Sequence, residues 1–331
     1  MTGPLTKELA PGVHRIASPT PFAVGRVNCY VLTGEPLTLI DTGLNSGSSL
    51  DYLERGLEEI GVRIQDLELI ALTHQHMDHE GLLEILVRRS GAEVAAFAEL
   101  VPWLADFPAG AKGDDDYAQA VMTANGVPDD INVLLAVLAR GLRGYGSGGT
   151  ITRPLRDGDT LAMGGRDFTA YHRPGHSPSD LVYHHAETGL LIAGDHLIAH
   201  ISSNALVTRG LDGHTDGPRP TPLIQYAKSL RATREMDVSV VLPGHGEPVI
   251  DHAALITKRL SDHSRRARKI RKLIAEEPRT AHAIAQEMWG EIALTQAYLT
   301  LSEVLGHLDL LLADGSARET QQDGVSVFSA V

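Results

Sequence analysis

The sequence predicts an α/β layered fold, on three observations. Apolar runs of strand length alternate with amphipathic stretches of helical spacing over the first hundred or so residues. Gly-Asp and Gly-Gly pairs then mark turns between a second group of strands, from about residue 152 to 195. Polar residues recur where apolar runs end, the rim at which layered α/β folds assemble their sites.

The segments GVHRIAS (12–18) and NCYVLTG (28–34) read as strands, and LTLIDTG (37–43) as a buried strand ending in a turn at Asp41. Leu50, Leu53, Leu57 and Ile60 share one face of a helix over 48–62. LELIALTH (67–74) returns to a strand, and HEGLLEILVRRSGAEVAAF (79–97) reads as helix, glycine break, strand. Residues 99–150 interrupt this rhythm with two or three helices, a candidate lid, and GYGSGGT (144–150) reads as a flexible link back. A helix over 220–236 and the buried strand of VSVVLPGHG (238–246) complete an expected catalytic domain of residues 1–252. Residues 253–313 are helical in texture and 315–330 read as a hairpin, so 253–331 predict a small winged-helix-like domain.

The chain is 331 residues long, 43% hydrophobic and 21% charged, the balance of a globular protein. No apolar run of about 18 residues predicts a membrane span. The first residues lack a signal-peptide core, and the lone cysteine, Cys29, excludes an intrachain disulfide framework; together they predict a cytoplasmic protein. A net charge of −13 disfavours broad, non-specific nucleic-acid binding. KRLSDHSRRARKIRKLI (258–274) is the basic exception: Leu260, Ala267, Ile270, Leu273 and Ile274 are expected to face the body and the cations to face outward. That face is either solvated or an anion dock for RNA or acyl-CoA phosphates. Leu301, Val304, Leu305, Leu308 and Leu312 recur at helical spacing; any surplus of that apolar face would suit a second copy of the chain.

THQHMDHEG (73–81) packs three histidines and an aspartate into six positions after a strand. PGHS (174–177), AGDH (193–196) and PGHG (243–246) add a His or Asp at further strand ends. His74, His76 and His176 can give three imidazoles to one cation, and Asp78, His79 and His245 can serve a second. Asp195 can bridge the pair through both oxygens. With no cysteine nearby the donors are nitrogen and oxygen, which suits zinc and also admits iron or manganese. Two such cations can share a hydroxide, a nucleophile at neutral pH, with Asp78 orienting it and relaying a proton.

With IDTG (40–43), THQHMDHEG, PGHSPSD, AGDH and LPGHGEP (242–248), the chain resembles the metallo-β-lactamase-fold hydrolases, in their glyoxalase II-like and β-lactamase-like protein 2-like branches. The resemblance covers about residues 10–250. It implies a four-layer αβ/βα sandwich, the seven metal ligands above, and Asp41 supporting the centre from behind. The tail resembles, more weakly, the small domain attached to some members. Such a site hydrolyses thioesters, lactones, β-lactams or phosphodiesters, and the metals alone do not choose among them. Family lactonases often carry a tyrosine three residues past the bridging aspartate; Ile198 stands there. The absence of a Gly-x-Ser-x-Gly elbow argues against a serine hydrolase.

The favoured expectation is a dinuclear, zinc-loaded hydrolase of a small acyl substrate with a thioester or ester-like bond. An RNA or DNA endonuclease and a non-catalytic, metal-stabilised interaction protein are the alternatives. Candidate substrate contacts are His200 and Asn204 beyond Asp195 and Tyr145 of the insertion, then Ser203, Arg209, His214, Arg219 and Trp103.

Overall fold

The structure, a computed structural model, describes residues 4–215 and 217–331. The first three residues of the expected catalytic domain therefore lie outside the described residues. In chain order the elements are β1 (Thr6–Ala10), β2 (Val13–Ser18), β3 (Val27–Leu32), β4 (Thr38–Ile40), α1 (Gly47–Glu59), β5 (Leu69–Ala71), α2 (Met77–Glu80), α3 (Leu83–Ser90) and β6 (Glu93–Phe97). The insertion supplies α4 (Val101–Ala105), α5 (Phe107–Ala124) and α6 (Asp129–Leu142). The second half runs β7 (Arg153–Leu155), β8 (Thr160–Met163), β9 (Arg166–His172), β10 (Leu181–His185), β11 (Leu190–Gly194), α7 (Pro222–Arg234) and β12 (Val240–Pro243). The tail is α8 (His252–Glu276), α9 (Ala281–Trp289), α10 (Ile292–Thr295), α11 (Ala297–Ala313), β13 (Ala317–Gln322) and β14 (Val325–Ala330).

Strands β1 to β7 form one sheet in sequence order; a second runs β12-β11-β10-β9-β8, and β13-β14 is a separate hairpin. The period-two alternation of side chains sorts each strand between two cores. In β3, Cys29 and Val31 face the helical side, where Leu53 and Leu57 of α1 and Leu83 and Leu86 of α3 pack. Tyr30 and Leu32 face Phe168, Tyr183 and Ile192 of the second sheet. In β11, Leu191 and Ala193 turn the other way, toward Leu223, Tyr226 and Leu230 of α7 and Ile256 of α8. The layers are thus helix, sheet, sheet, helix, the expected αβ/βα sandwich.

Local chemistry sets the element ends. The Ser46 hydroxyl caps α1 by accepting from the Ser49 N–H at 3.2 Å. Gly91, at φ +74°, closes α3 in the left-handed conformation that glycine adopts freely. Gly164 and Gly165, both at positive φ, make the tight turn between β8 and β9.

Two expectations are corrected. The 144–150 segment is no loose link: Tyr145 accepts from the Asn45 N–H at 2.7 Å, Glu80 from the Ser147 N–H at 2.9 Å, and Leu104 from the Gly149 N–H at 3.0 Å. Its glycines permit close approach; a Cβ at Gly149 would sit 2.7 Å from Leu83 Cδ2. Nor do all the cations of α8 face outward. Arg259 is buried, and Arg266 is half-buried against Glu303, while Leu260 and Leu273 are only half-buried. The helix is 25 residues long and packs on three elements, α7, α11 and β14, so its buried stripe is wider and set differently from the apolar residues alone.

The helices and hairpin expected after residue 253 are present, but their core is continuous with other parts of the chain. Ile270, Ile274, Ile284, Leu301, Leu305, Leu308 and Phe328 pack with Val121 and Met122 of α5 and with Val207. The apolar spacing of α11 is thereby consumed internally. Exposed apolar side chains gather instead on α6, at Val133, Leu134, Val137 and Leu138. Among the described residues, no helix is long and apolar enough to cross a membrane.

Candidate metal centre

Strands β4 and β5, and likewise β11 and β12, run parallel and end at one rim, and each is followed within three residues by an aspartate or a histidine. Asp41 follows β4, His74 and His76 follow β5, Asp195 follows β11, and His245 follows β12. Asp78 and His79 sit on the single turn of α2, and His176 lies in the β9–β10 loop. Strands β4, β5 and β11 are held by ladder bonds on both sides, and the edge strand β12 is held by β11 and by a bridge from Val241 to Val249.

Asp41 has a left-handed backbone, φ 56°, rare for a residue with a side chain. The strain is offset by three hydrogen bonds. Its carboxylate accepts from the Thr73 N–H (2.8 Å), the Thr73 hydroxyl (2.8 Å) and His79 Nδ1 (2.7 Å). The Thr73 side chain also lies 3.0 Å from His74 Nδ1. Asp41 therefore orients two imidazoles, one directly and one through Thr73.

Six side chains converge, with Asp195 between them. His76 Nδ1 lies 3.0 Å from His74 Nε2 and 2.9 Å from His176 Nε2, so three ring nitrogens face one small space. On the other side, His245 Nε2 is 3.3 Å from Asp78 Oδ2, and His79 Nε2 is 3.9 Å from Asp78 Oδ1. Asp195 Oδ2 is 3.5 Å from both His176 Nε2 and His245 Nε2, and Oδ1 is 3.5 Å from His79 Nε2. The ring nitrogens turned away from the centre are engaged: His176 Nδ1 donates to the Asn204 carbonyl and His245 Nδ1 to the Arg26 carbonyl, both at 2.9 Å.

This arrangement fits divalent cations. His79 Nε2, His245 Nε2 and Asp195 Oδ1 are buried without a hydrogen-bond partner in the protein, which is costly unless something else meets them. The atoms able to hold an ion form overlapping groups: His74, His76 and His176; His74, His79 and Asp195; and Asp78, His79 and His245. Nitrogen and carboxylate donors in two such groups suggest a dinuclear site.

The imidazoles of the first group are held neutral. Burial, then the neighbouring imidazoles, hold His74 far below the ordinary histidine value. Burial takes His76 down to about 3 and His176 to about 4. These three are neutral donors. Burial would depress His79 too, but Asp41, Asp195 and Asp78 outweigh it and push it up to about 10, so a cation bound there has to displace the His79 proton. Burial works against ionising Asp78, yet His79 and His245 hold it well below the usual carboxylate range.

Glycine spacing is a feature the sequence patterns did not single out. A Cβ on Gly244 would collide with the Asp195 carboxylate and sit 2.7 Å from His79 Cε1. Gly244 is therefore a positioning residue. Gln75 is another: its side-chain oxygen accepts from the Ser177 hydroxyl at 3.0 Å and from the Ser179 hydroxyl. Asp180 accepts from the Ser177 N–H at 2.8 Å, so these residues brace the His176 loop. His196, next to Asp195, points away and lies 2.9 Å from the Thr233 hydroxyl.

The structure spreads the other candidates out. Asn204 lines the cavity beside the centre, but its amide donates to the Leu299 carbonyl at 2.8 Å. His200 is 3.1 Å from the Val24 carbonyl, and neither it nor Tyr145 lines that cavity. Ser203 lines it and donates to the Asp195 carbonyl. Arg209 pairs with Asp114 at 2.6 Å and Arg219 with Asp309 at 3.0 Å, while His214 is exposed. Trp103 Nε1 donates to Asp114 at 2.9 Å. A further ligand-type group, His263, Glu303 and His307, lies between α8 and α11. There Arg266 already holds Glu303, and His307 Nδ1 donates to the Glu303 carbonyl at 2.6 Å, so it is a neutral polar cluster of the core.

The cavity measures about 610 Å³, and its wall includes His76, Asp78, His176, Asp195 and His245. The centre thus opens onto a space of ligand size.

Comparison with known proteins agrees with this geometry. The chain is 33% identical over 303 residues to the probable metallo-hydrolase YqjP of Bacillus subtilis, covering 91% of this chain and 92% of that one. It is 29% identical over 202 residues to the human acyl-coenzyme A thioesterase MBLAC2, covering 57% of this chain and 64% of that protein. In fold it superposes on the metallo-beta-lactamase family protein TTHA1429 of Thermus thermophilus with a TM-score of 0.82, at 24% identity, over 98% of this chain and all of that one. Residues 23–245, from before β3 to His245, match the model of the metallo-beta-lactamase superfamily, and the chain is a metallo-hydrolase belonging to that family.

Proposed function

We propose that this enzyme hydrolyses the thioester bond of an acyl substrate, with two zinc ions held by His74, His76 and His176 on one side, Asp78, His79 and His245 on the other, and Asp195 between. The carrying observation is the Asp195 carboxylate, set 3.5 Å from imidazoles of both groups. When bound, such a pair supplies Lewis acidity to a carbonyl and acidifies water to near neutrality.

The protein's own part is positional and protonic. His176 and His245 are oriented by the Asn204 and Arg26 carbonyls, and His79 by Asp41. Asp78 lines the cavity as an ionised carboxylate, able to orient a water molecule and accept its proton. The net reaction joins the water oxygen to the acyl carbon and breaks the carbon–sulfur bond. The proton taken by Asp78 goes to the departing sulfur, leaving a carboxylic acid and a thiol.

The thioester reading is supported by the activity named for the human relative. In the helix expected to dock phosphate, Arg268, Lys269, Arg271 and Lys272 stay exposed for the nuclease alternative, while the other four cations are engaged. Arg259 and Arg266 are engaged inside the molecule, and Lys258 and Arg265 pair with Asp262 at 2.8 and 2.9 Å. We place the enzyme in the cytoplasm on the lone, buried Cys29 thiol.

The test is turnover of acyl-CoA thioesters beside a panel of structured RNA. We expect free thiol to be released with about two metal equivalents bound, and His76→Ala to abolish the reaction. RNA cleavage without thioester cleavage would overturn the reading.

A further inference from the structure

Which end of a thioester would enter the cavity is written in its walls. Of the large apolar side chains left exposed, Leu142 (38%), Ile201 (43%), Ile292 (52%) and Leu299 (41%) all line this one space. A single exposed leucine is ordinary, but four converging beside a row of catalytic ligands form a binding surface. Trp289 and Phe22 extend it. These residues come from four parts of the chain: the loop before β3, the end of α6, the loop after β11, and the α9–α11 tail.

Among the described residues, the cavity offers no free cation to a polyanion. Apart from histidines, Arg266 is the one basic residue on its wall, and its guanidinium is paired with Glu303, also on the wall. The nucleotide phosphates of a coenzyme would find no counter-charge there. A hydrocarbon chain would cover the exposed apolar groups and leave the ion pair undisturbed.

Building on the thioester reading, we propose that this cavity is an acyl-chain site whose far wall is supplied by the C-terminal helices, with Ile292 and Leu299 selecting substrates whose acyl group is an extended hydrocarbon. The carbonyl sits at the ligands, the chain runs toward α10 and α11, and the thiol portion points to solvent. At about 610 Å³ the space far exceeds what an acetyl group fills.

Two measurements test this on the zinc-loaded 331-residue chain. The first is kcat/KM for acetyl, butyryl, hexanoyl and octanoyl thioesters of N-acetylcysteamine, a neutral thiol. Burial of each methylene predicts a rise of about fourfold until the cavity is full. Ile292→Asp and Leu299→Trp should each lower the octanoyl-to-acetyl ratio at least tenfold. The second is calorimetric binding of S-octyl- and S-ethyl-N-acetylcysteamine, thioethers that cannot be hydrolysed. The octyl compound should bind more tightly with a negative heat-capacity change, and both variants should remove the difference. Chain-dependent thioether binding without thioester turnover would uphold the acyl site and overturn the thioesterase reading. Turnover indifferent to chain length, with no preference for the octyl thioether, would overturn the acyl site and leave the thioesterase reading standing.

Discussion

Gly244 shows how much one missing methyl group can matter. The space where its Cβ would stand is occupied by the Asp195 carboxylate. Gly244→Ala should fold, because the position is otherwise ordinary backbone at the end of a strand, but it must displace Asp195 or His79. We expect metal content to fall below two equivalents and thioester turnover to drop at least tenfold, read by metal analysis and steady-state kinetics. Asp41 acts one step further out. Asp41→Asn keeps the shape but removes the charge that fixes the proton on His79 Nδ1. Loss of such a partner weakens metal affinity about 10–100-fold, which competition with a chelator would measure. Affinity equal to the parent's would remove Asp41 from the supporting role.

Helix α8 acts as a clamp. Arg259 is buried, and its guanidinium donates to the carbonyls of Ile198 (3.0 Å), Ala199 (2.9 Å) and Ile201 (2.9 Å) in the loop beyond Asp195. One side chain thus ties the tail to the metal centre. Arg259→Met would leave three carbonyls short of a partner and should cost about 3 kcal/mol, read from denaturant unfolding. The same helix faces α11 through His263 and His307, whose rings lie 3.4 Å apart between Nδ1 and Nε2. Burial, then nearby charged groups, lowers His263 to about 4; burial, then His263 and Arg266, lowers His307 to about 2. A depressed folded-state pKa means that the unfolded chain binds more protons. The stability is complete above about pH 6.5 and drains away as the pH falls toward the folded values. Each such histidine should cost about 2 kcal/mol on going from pH 7 to pH 5. His307→Leu should shrink that loss; an unchanged pH dependence would show that the pair is not the source.

At the scale of the whole molecule, the catalytic sandwich and the tail hold each other. Metal should stabilise the fold by about 3 kcal/mol per site when free ion exceeds the dissociation constant a hundredfold, so a chelator should lower the melting temperature measurably. Because Val121 and Met122 of the insertion share a core with the tail, ending the chain at residue 252 should leave an unstable, poorly soluble product rather than an independent catalytic unit. The order of strands and helices was legible because buried strands and amphipathic helices carry different periods. The clustering of the donor residues was legible because each follows an apolar run or sits in a Pro/Gly turn. Less could be read of its surroundings. Arg259 looked like any other cation of a basic helix, and nothing in its neighbours along the chain says that three carbonyls wait for it. Asn204 looked like a side-chain contact, whereas its carbonyl holds His176. His200 and Tyr145 lay near the right loops but do not line the cavity. What the sequence by itself determined is an α/β layered fold and the row of donor residues, since both depend on local periodicity and on the residue types near strand ends, while the four-layer sandwich came from the family resemblance. Only the tertiary structure decided which helices close the cavity, which cations are already neutralised, and which apolar side chains line the space, because those depend on contacts between segments distant in the chain.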